Sequence, residues 1–350
     1  DDPVAAQHRG TARTGCIMGI FRYSDGVLPN TLAFTYALGG YLTGFWLITR
    51  PELWLNLPGV LLLGHSMVIA AYLLHECAHN TVFRDNALNA RVGSMLNWIA
   101  GSSYNSYEIL RRKHFRHHVD RADVVAFDFR PQLARYPRFV KLIEALEWAY
   151  IPAADLFMHA MILVVPFVLP SRRTERARVL WVLAVRASVF ALIAWHAPRV
   201  LLLYPLAWML MLHVLRFMDA YQHTFTLFDT LEQGSAANPA KYDAAYEFRN
   251  TFTNIHSVKY PWLNLFTLNF GYHNAHHEKP AEPWHRLPAL HAQLYGDSCS
   301  QILPFANLLA AYHRYRTQRL LNADPDDLDV LSDQGKTFIG VDGVSFLTGH

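Results

Sequence analysis

The stretch LPGVLLLGHSMVIAAYLLHECAH, from Leu57 to His79, joins an apolar run to a histidine pair. The part from Leu57 to Leu74 has no acidic or basic side chain apart from one histidine and is about long enough to cross the hydrocarbon core of a bilayer. On a helix, His75 and His79 are one turn apart and share a face. The stretch therefore predicts a membrane-spanning helix with two imidazoles at one end.

The composition of the whole chain also favours a membrane protein. Of 350 residues, 52% are hydrophobic and only 17% are charged, and the mean hydropathy is positive. The net charge of +3 is small and dispersed, so we expect no nucleic-acid partner. Three distant cysteines, Cys16, Cys77 and Cys299, favour neither a disulfide framework nor a CxxC metal site.

The apolar runs predict four crossings in two hairpins. Thr31–Thr49 pairs with Leu57–Leu74, and Val179–Ala197 pairs with Val200–Phe217. Ile151–Leu169 contains prolines and polar side chains, so we predict that it is re-entrant or interfacial. With this assignment an even number of membrane crossings separates the three histidine clusters of the chain. All three clusters then lie on one side of the bilayer.

These features define an all-α fold, an integral membrane protein with about four transmembrane helices and a helical cap. Shorter interfacial segments are predicted at Val92–Ala100 and Trp262–Phe270. Basic residues beside the spans place the cap and the active site in the cytoplasm by the positive-inside rule. Such residues include Arg111, Arg112, Lys113 and Arg116, which are also candidates for contact with anionic lipid.

The chain is divided by these assignments into three parts. A polar leader is predicted at 1–30, a membrane domain at 31–320, and an acidic C-terminal tail at 321–350, which we expect to be peripheral.

Four histidines inside apolar runs are predicted to be packing residues, although an ionisable group within a membrane is a functional candidate; they are His65, His159, His196 and His213.

Two HxxHH clusters follow the first histidine pair. HFRHH covers 114–118 and HNAHH covers 273–277, which together with His75 and His79 makes eight histidines at helical spacing. Imidazole suits zinc, copper, iron and nickel, and eight ligands exceed what one metal needs. We therefore predict two metal ions, and a redox-active pair at a membrane interface favours iron that activates dioxygen against an apolar substrate.

HECAH, HFRHH and HNAHH, in this order and spacing, resemble the three histidine boxes of the integral-membrane fatty acid desaturase superfamily, which also includes hydroxylases and alkane monooxygenases. The resemblance runs from about Thr31 to Leu290. It implies a non-haem di-iron centre, O2 as co-substrate, and box ligands His75, His79, His114, His117, His118, His273, His276 and His277.

The resemblance also implies a ninth ligand, His223, in the segment Asp219–His223. Acyl-CoA desaturases of the family have Asn where this chain has Asp219, and a carboxylate there would bind iron directly or orient a ligand histidine. Further candidates to support the ligands are Glu76, Asp123, Asn254 and Asn274.

The implied activity is O2-dependent desaturation of a fatty acyl chain. Hydroxylation of an acyl chain or an alkane is the alternative within the superfamily, and a carotenoid or sterol remains an open substrate. Because the sequence has no haem, flavin or iron–sulfur motif, electrons would come from a ferredoxin, rubredoxin or cytochrome b5-type donor and its reductase. The basic residues Arg111, Arg112, Lys113 and Arg116 are candidates for contact with such an acidic donor.

Two interpretations from other classes stay open at the level of sequence. His75-Glu76-x-x-His79 also fits the HExxH motif of a membrane zinc metalloprotease, although that motif leaves both HxxHH clusters unexplained. A metal transporter or sensor would place its ligands near the bilayer midplane, whereas these clusters follow the apolar runs.

Overall fold

The structure is a computed structural model that describes residues 19–125, 129–225, 243–296, 301–321 and 328–348. In these ranges the chain is helical and has no β-strand, only isolated bridges such as that between Phe21 and Phe83. Four helices are long and apolar enough to cross a bilayer. The predicted all-α membrane fold is therefore confirmed.

The first hairpin forms the centre of the membrane region. Helix α1 covers Val27–Thr49 and α2 covers Leu53–Ala78. Small residues let the two helices approach closely, since a Cβ atom at Gly44 would lie 2.7 Å from the backbone nitrogen of Leu63. Helix α2 is the most buried of the four long helices, so its last turn is held rigidly where His75 begins the first histidine pair.

The second hairpin packs against the first. After a 3-10 turn at Pro170–Glu175, helix α8 covers Arg176–His196 and α9 covers Val200–Asp219, and α9 lies against α2. The preceding helix α7, Ala153–Val168, has 16 residues, which gives about 24 Å at 1.5 Å per residue and falls short of a ~30 Å hydrocarbon core. Helix α7 is not one of the four long helices, which agrees with the sequence prediction. That it is re-entrant or interfacial stays a prediction.

The remaining helices are short and form the cap. Helix α4, Tyr107–Asp120, carries the second histidine cluster. It begins where the Ser106 hydroxyl accepts a hydrogen bond from the Ile109 amide. The cap helices are α3 Asn86–Ile99, α4 Tyr107–Asp120, α5 Arg130–Leu133, α6 Pro137–Trp148, α10 Ala244–Arg249, α11 His273–Glu278, α12 Leu287–Tyr295 and α13 Phe305–Arg314, with 3-10 turns at Pro261–Thr267 and Gln318–Leu320.

The prediction of a peripheral tail is wrong for residues 328–348. Asp342 forms a buried, two-point ion pair with Arg216 of α9, at 2.8 and 2.7 Å, and Leu347 is fully buried in the main core. The acidic run Asp324–Asp327 suggested a solvated tail, but it lies outside the described residues. The following segment is apolar enough to pack, and it returns to the histidine clusters.

Candidate metal centre

Nine histidines converge in the cap as two groups. In the first group, here site A, five imidazoles offer ligand atoms that all lie within 4.8 Å of one another: His75 and His79 from the end of α2, His114 and His118 from α4, and His276 from α11. In the second, site B, four imidazoles meet the same distance: His117 from α4, His223 after α9, and His273 and His277 from α11.

Each HxxHH helix contributes to both sites. On α4, His114 and His118 belong to site A and His117 to site B, whereas on α11 His276 belongs to site A and the other two histidines to site B. Residues three and four apart share a helix face, so the HxxHH spacing predicts that the three imidazoles of a cluster point the same way, and the structure corrects this expectation. A one-residue step turns a helix by about 100°, so adjacent histidines on one broad face can point to different centres.

The facing Nε2 atoms approach each other closely. His79 and His114 are separated by 2.6 Å in site A, and His223 lies 2.8 Å from His273 and 3.1 Å from His117 in site B. The Nε2 atoms of His75 and His277 are buried and have no hydrogen-bond partner among the described residues. Lone pairs that converge from several directions, with buried nitrogens left unpaired, fit the donor set of a metal ion.

Burial keeps these imidazoles neutral. It is the main cause that lowers the pKa of His117 to about 4, and neighbouring imidazoles add to the lowering for most of the others. The ligand histidines outside the spanning helices whose pKa falls well below the usual value are His79, His114, His118, His223, His273, His276 and His277. Neutral imidazole is the form that binds metal.

Contacts to the second ring nitrogen fix the orientation of several ligands. His277 Nδ1 donates a hydrogen bond to Glu247 Oε1 at 3.0 Å, and His117 Nδ1 donates to the Ala122 carbonyl at 2.9 Å. A proton on Nδ1 leaves the Nε2 lone pair for a metal. His223 Nδ1 is hydrogen-bonded to Thr251 Oγ1 at 3.3 Å.

Sequence reasoning missed Glu247 and Thr251. Both come from a segment between the second hairpin and the last cluster, with no motif of its own, and Glu247 also forms an ion pair with Arg121 at 2.7 Å. A carboxylate that orients a ligand histidine is common in metal sites. Only the fold could identify which carboxylate does so here.

The predicted supporting residues have mixed outcomes. Asp123 Oδ1 lies 4.0 Å from His117 Nδ1, and Glu76 Oε1 lies 3.6 Å from His75 Nδ1. Asn254 donates instead to the Met218 carbonyl at 2.8 Å, and Asn274 donates to the Thr251 carbonyl at 2.6 Å. These two amides hold backbone next to the ligands, and among the described residues neither is hydrogen-bonded to an imidazole, so their support of the ligands stays a prediction.

Asp219 lies beside the two sites and belongs to neither group of ligands. It lines a cavity of about 50 Å³ that touches His75 and His114 of site A together with His117, His223 and His273 of site B. Lys113 lines the same cavity, and burial lowers its pKa to about 7 against the opposing effect of the Asp219 and Asp123 carboxylates. A small reactant in this cavity would therefore meet both sites.

The tail closes this cavity on one side. The Phe346 ring centre lies 5.3 Å from that of His114 and 5.7 Å from that of His75, and Val344 also lines the cavity. Lys113 Nζ fastens the tail by donating to the carbonyls of Ser345 and Thr348 at 2.6 and 2.7 Å. The acidic composition of the tail gave no indication of this role.

Comparison with protein families agrees with the geometry. The sequence profile of the fatty acid desaturase family matches residues 52–305, which include all nine histidines. The chain belongs to the fatty acid desaturase family, a family of membrane di-iron enzymes. None of the curated proteins compared with the chain matches it.

Proposed function

We propose that this protein is an O2-dependent fatty acyl desaturase whose non-haem di-iron centre occupies sites A and B on the cytoplasmic side of the membrane. The observation that carries the proposal is that nine imidazoles, seven of them buried and those of His117 and His118 partly buried, form two adjacent groups around one cavity in a chain of this family. Two iron ions bound there would supply the activation of O2 and the oxidation of an unactivated C–H bond.

The residues of the chain provide the surroundings that this chemistry needs. Glu247, Thr251 and the Ala122 carbonyl hold ligand rings in place, which preserves the geometry of the sites. Phe270, Phe346 and Val344 give the cavity apolar walls. Apolar walls exclude bulk water and suit a hydrocarbon chain, whose reacting carbons must be positioned against the metal ions.

The reaction has a fixed electron balance. Removal of two hydrogen atoms from adjacent methylenes supplies two electrons, and reduction of O2 to two water molecules needs four. Two electrons therefore come from an external donor, for which a ferredoxin, rubredoxin or cytochrome b5-type protein with its reductase is proposed.

The basic residues suggested for donor contact are not all on the surface. Lys113 is buried and bound to tail carbonyls, so it is unsuited to meet another protein. Arg111 Nε donates to the Ala78 carbonyl at 2.8 Å, and Arg116 pairs with Asp120. Arg112 is the exposed member of this group. A donor surface would therefore be centred on other residues than Lys113.

The protease and transporter alternatives fit this arrangement poorly. In an HExxH protease the glutamate acts on metal-bound water, whereas Glu76 Oε2 here accepts hydrogen bonds from Thr81 Oγ1 at 2.6 Å and the Trp284 amide at 3.1 Å. A transporter would have ligands at mid-depth, but the ligands follow the last turn of α2 and lie in the cap helices. Hydroxylation would use the same metal centre as desaturation. The two reactions are distinguished by their products, a hydroxyl group or a double bond.

The test is expression in a host of known lipid composition, followed by mass spectrometry of its acyl chains. A new double bond that depends on the protein supports desaturation, and a new hydroxyl group indicates the hydroxylase alternative. The matched control is His117→Ala, which removes one site B ligand. Two irons per chain in the purified protein are expected; one zinc per chain, or an unchanged lipid profile with full iron content, would contradict the proposal.

A further inference from the structure

A second cavity lies in the membrane region, away from sites A and B. It is a groove of about 650 Å³ between α7, α8 and α9, here called the lateral groove. Its volume is within the range of ~300–1,000 Å³ typical of ligand sites. Ala160, Ala187 and Leu201 are exposed on its lining, so the groove opens towards the lipid rather than into the cap.

One side chain in the groove is a cation at membrane depth. Arg186 lies ten residues from each end of α8, or about 15 Å along the helix at 1.5 Å per residue. It has no ion pair with any described carboxylate, and its Nη1 has no acceptor among the described residues. A charged group at this depth is costly unless it is compensated, and such groups commonly mark binding sites.

The other donors of Arg186 hold the end of α3 and the loop that follows it, which shapes the groove. Nη2 donates to the Trp98 carbonyl at 2.9 Å and to Ser103 Oγ at 3.0 Å, and the guanidinium carbon lies 5.3 Å from the Trp98 ring centre. These neutral contacts fix the position of the guanidinium. They leave its charge unmatched and Nη1 free to meet a ligand.

A second polar group lines the same end of the groove. His159 of α7 is more than nine-tenths buried, and its Nε2 has no hydrogen-bond partner in the part of the chain that the structure describes. Its ring packs on Trp208, at 5.0 Å between ring centres, and Trp208 is hydrogen-bonded to the Ala100 carbonyl in the loop that Arg186 also holds. His159 therefore lines the groove where it meets this loop.

The rest of the lining is mostly apolar, apart from the hydroxyl groups of Tyr104 and Tyr204. It includes Phe190 one turn beyond Arg186 and, from α9, Leu201, Tyr204 and Pro205. The groove thus has a polar end with an uncompensated cation and an apolar end of aliphatic and aromatic side chains. This is the complement of a lipid that has an acidic group and a long hydrocarbon chain.

We propose that the lateral groove binds an anionic lipid, with its acid group on Arg186 and His159 and its acyl chain along α8 and α9. The shared chemistry is an acid group joined to an acyl chain, which a free fatty acid and an anionic phospholipid both provide. Packing alone, as predicted for His159 from sequence, leaves the buried Nε2 unpaired.

The test is native mass spectrometry of the full chain, titrated separately with oleate, phosphatidylglycerol and phosphatidylcholine. We expect at least one anionic lipid to bind at least about tenfold more tightly than phosphatidylcholine, because hydrogen bonds to a charged group contribute about 1.5–3 kcal/mol, which converts to tenfold or more. Preference for oleate identifies a free acid, and preference for phosphatidylglycerol identifies a phospholipid. Equal binding of all three lipids would overturn the proposal.

Variants assign the preference to the groove. Arg186→Gln should remove it and Arg186→Lys should retain part of it, whereas Arg178→Gln should leave it intact. Arg178 is a matched control because it lies on the same helix and binds the same loop, through the Ser103 and Asn105 carbonyls, without lining the groove. An equal loss in Arg178→Gln and Arg186→Gln would contradict the proposal.

Ala187→Trp provides a second route if Arg186→Gln does not fold. It fills the groove and leaves the contacts of Arg186 in place, so it should abolish the tight binding; retained tight binding would overturn the proposal. Binding is measured without turnover, so the result is independent of the reaction proposed for sites A and B.

Discussion

At the scale of single residues, the centre depends on which ring nitrogen of each histidine carries the proton. Glu247 accepts the Nδ1 proton of His277, and the Ala122 carbonyl accepts that of His117, so both Nε2 atoms face site B as lone pairs. The box histidines supply the donor atoms. The hydrogen bonds to Nδ1 determine the direction in which each imidazole points. A single substitution can remove the Glu247 carboxylate, whereas it cannot remove the backbone carbonyl of Ala122.

Glu247→Ala should weaken metal binding at site B by about 10- to 100-fold, the usual cost of losing a group that orients a ligand histidine. Iron content after competition with a chelator measures this. Arg121→Gln is the matched control, because it removes the ion pair of Glu247 and keeps the carboxylate on His277. Equal losses in the two variants would assign the effect to the ion pair instead.

The metal-free protein should lose stability as the pH falls below about 6.5. Burial lowers the pKa of His117 from 6.5 to about 4, so the unfolded chain takes up a proton in this interval and the folded chain does not. The contribution of His117 to the free energy of unfolding is therefore constant above pH 6.5 and decreases towards pH 4. Denaturant titrations of the metal-free protein in this range test the sign, and a stability that rises on acidification would contradict it.

At the scale of elements, the described part of the tail is a structural wall of the centre. It is held by Asp342 on Arg216, by Lys113 on two carbonyls and by the buried Leu347, and it places Phe346 against His75 and His114. An acyl chain that meets both sites must therefore share the cavity with this ring.

Phe346→Ala should enlarge the cavity of about 50 Å³ and relax the position at which a substrate is oxidised. The expected result is a mixture of double-bond positions where the unaltered protein gives one, measured by mass spectrometry of derivatised acyl chains. Phe139→Ala, an exposed ring on α6, is the control for an unspecific effect. An unchanged product position with retained activity would show that Phe346 does not limit the substrate.

At the scale of the whole molecule, the two hairpins place their turns together, away from the histidines. Arg199 Nη1, at the start of α9, donates to the Arg50 carbonyl in the α1–α2 turn at 2.6 Å. The opposite ends of α2 and α9 lead to His75 and His223. This pairing agrees with an even number of crossings between the clusters, with α7 outside the count.

Labelling of single cysteines in intact cells should separate the two ends of the hairpins. Glu52→Cys and Pro198→Cys, both exposed in the turns, should react with a membrane-impermeant reagent, and Lys279→Cys, exposed beside α11, should react only after permeabilisation. The background chain needs its native cysteines replaced by serine. Opposite labelling of Glu52→Cys and Pro198→Cys would show that α7 spans or that a hairpin is misassigned.

The sequence by itself determined the features that depend on neighbouring residues. The apolar runs identified the four long helices because crossing a bilayer requires a minimum uncharged length, and their ends were predicted to within a few residues, as for α2, which extends the run Leu57–Leu74 to Leu53–Ala78. The histidine spacing identified the ligand candidates because side chains three and four apart share a helix face.

Only the tertiary structure decided which centre each histidine faces and what surrounds it. His277 meets Glu247 30 positions away, and Lys113 meets the tail 232 positions away. No local period encodes such contacts, because they result from how separate helices pack against each other. For the same reason the lateral groove and the wall formed by Phe346 emerge only when α7, α8, α9 and the tail are assembled.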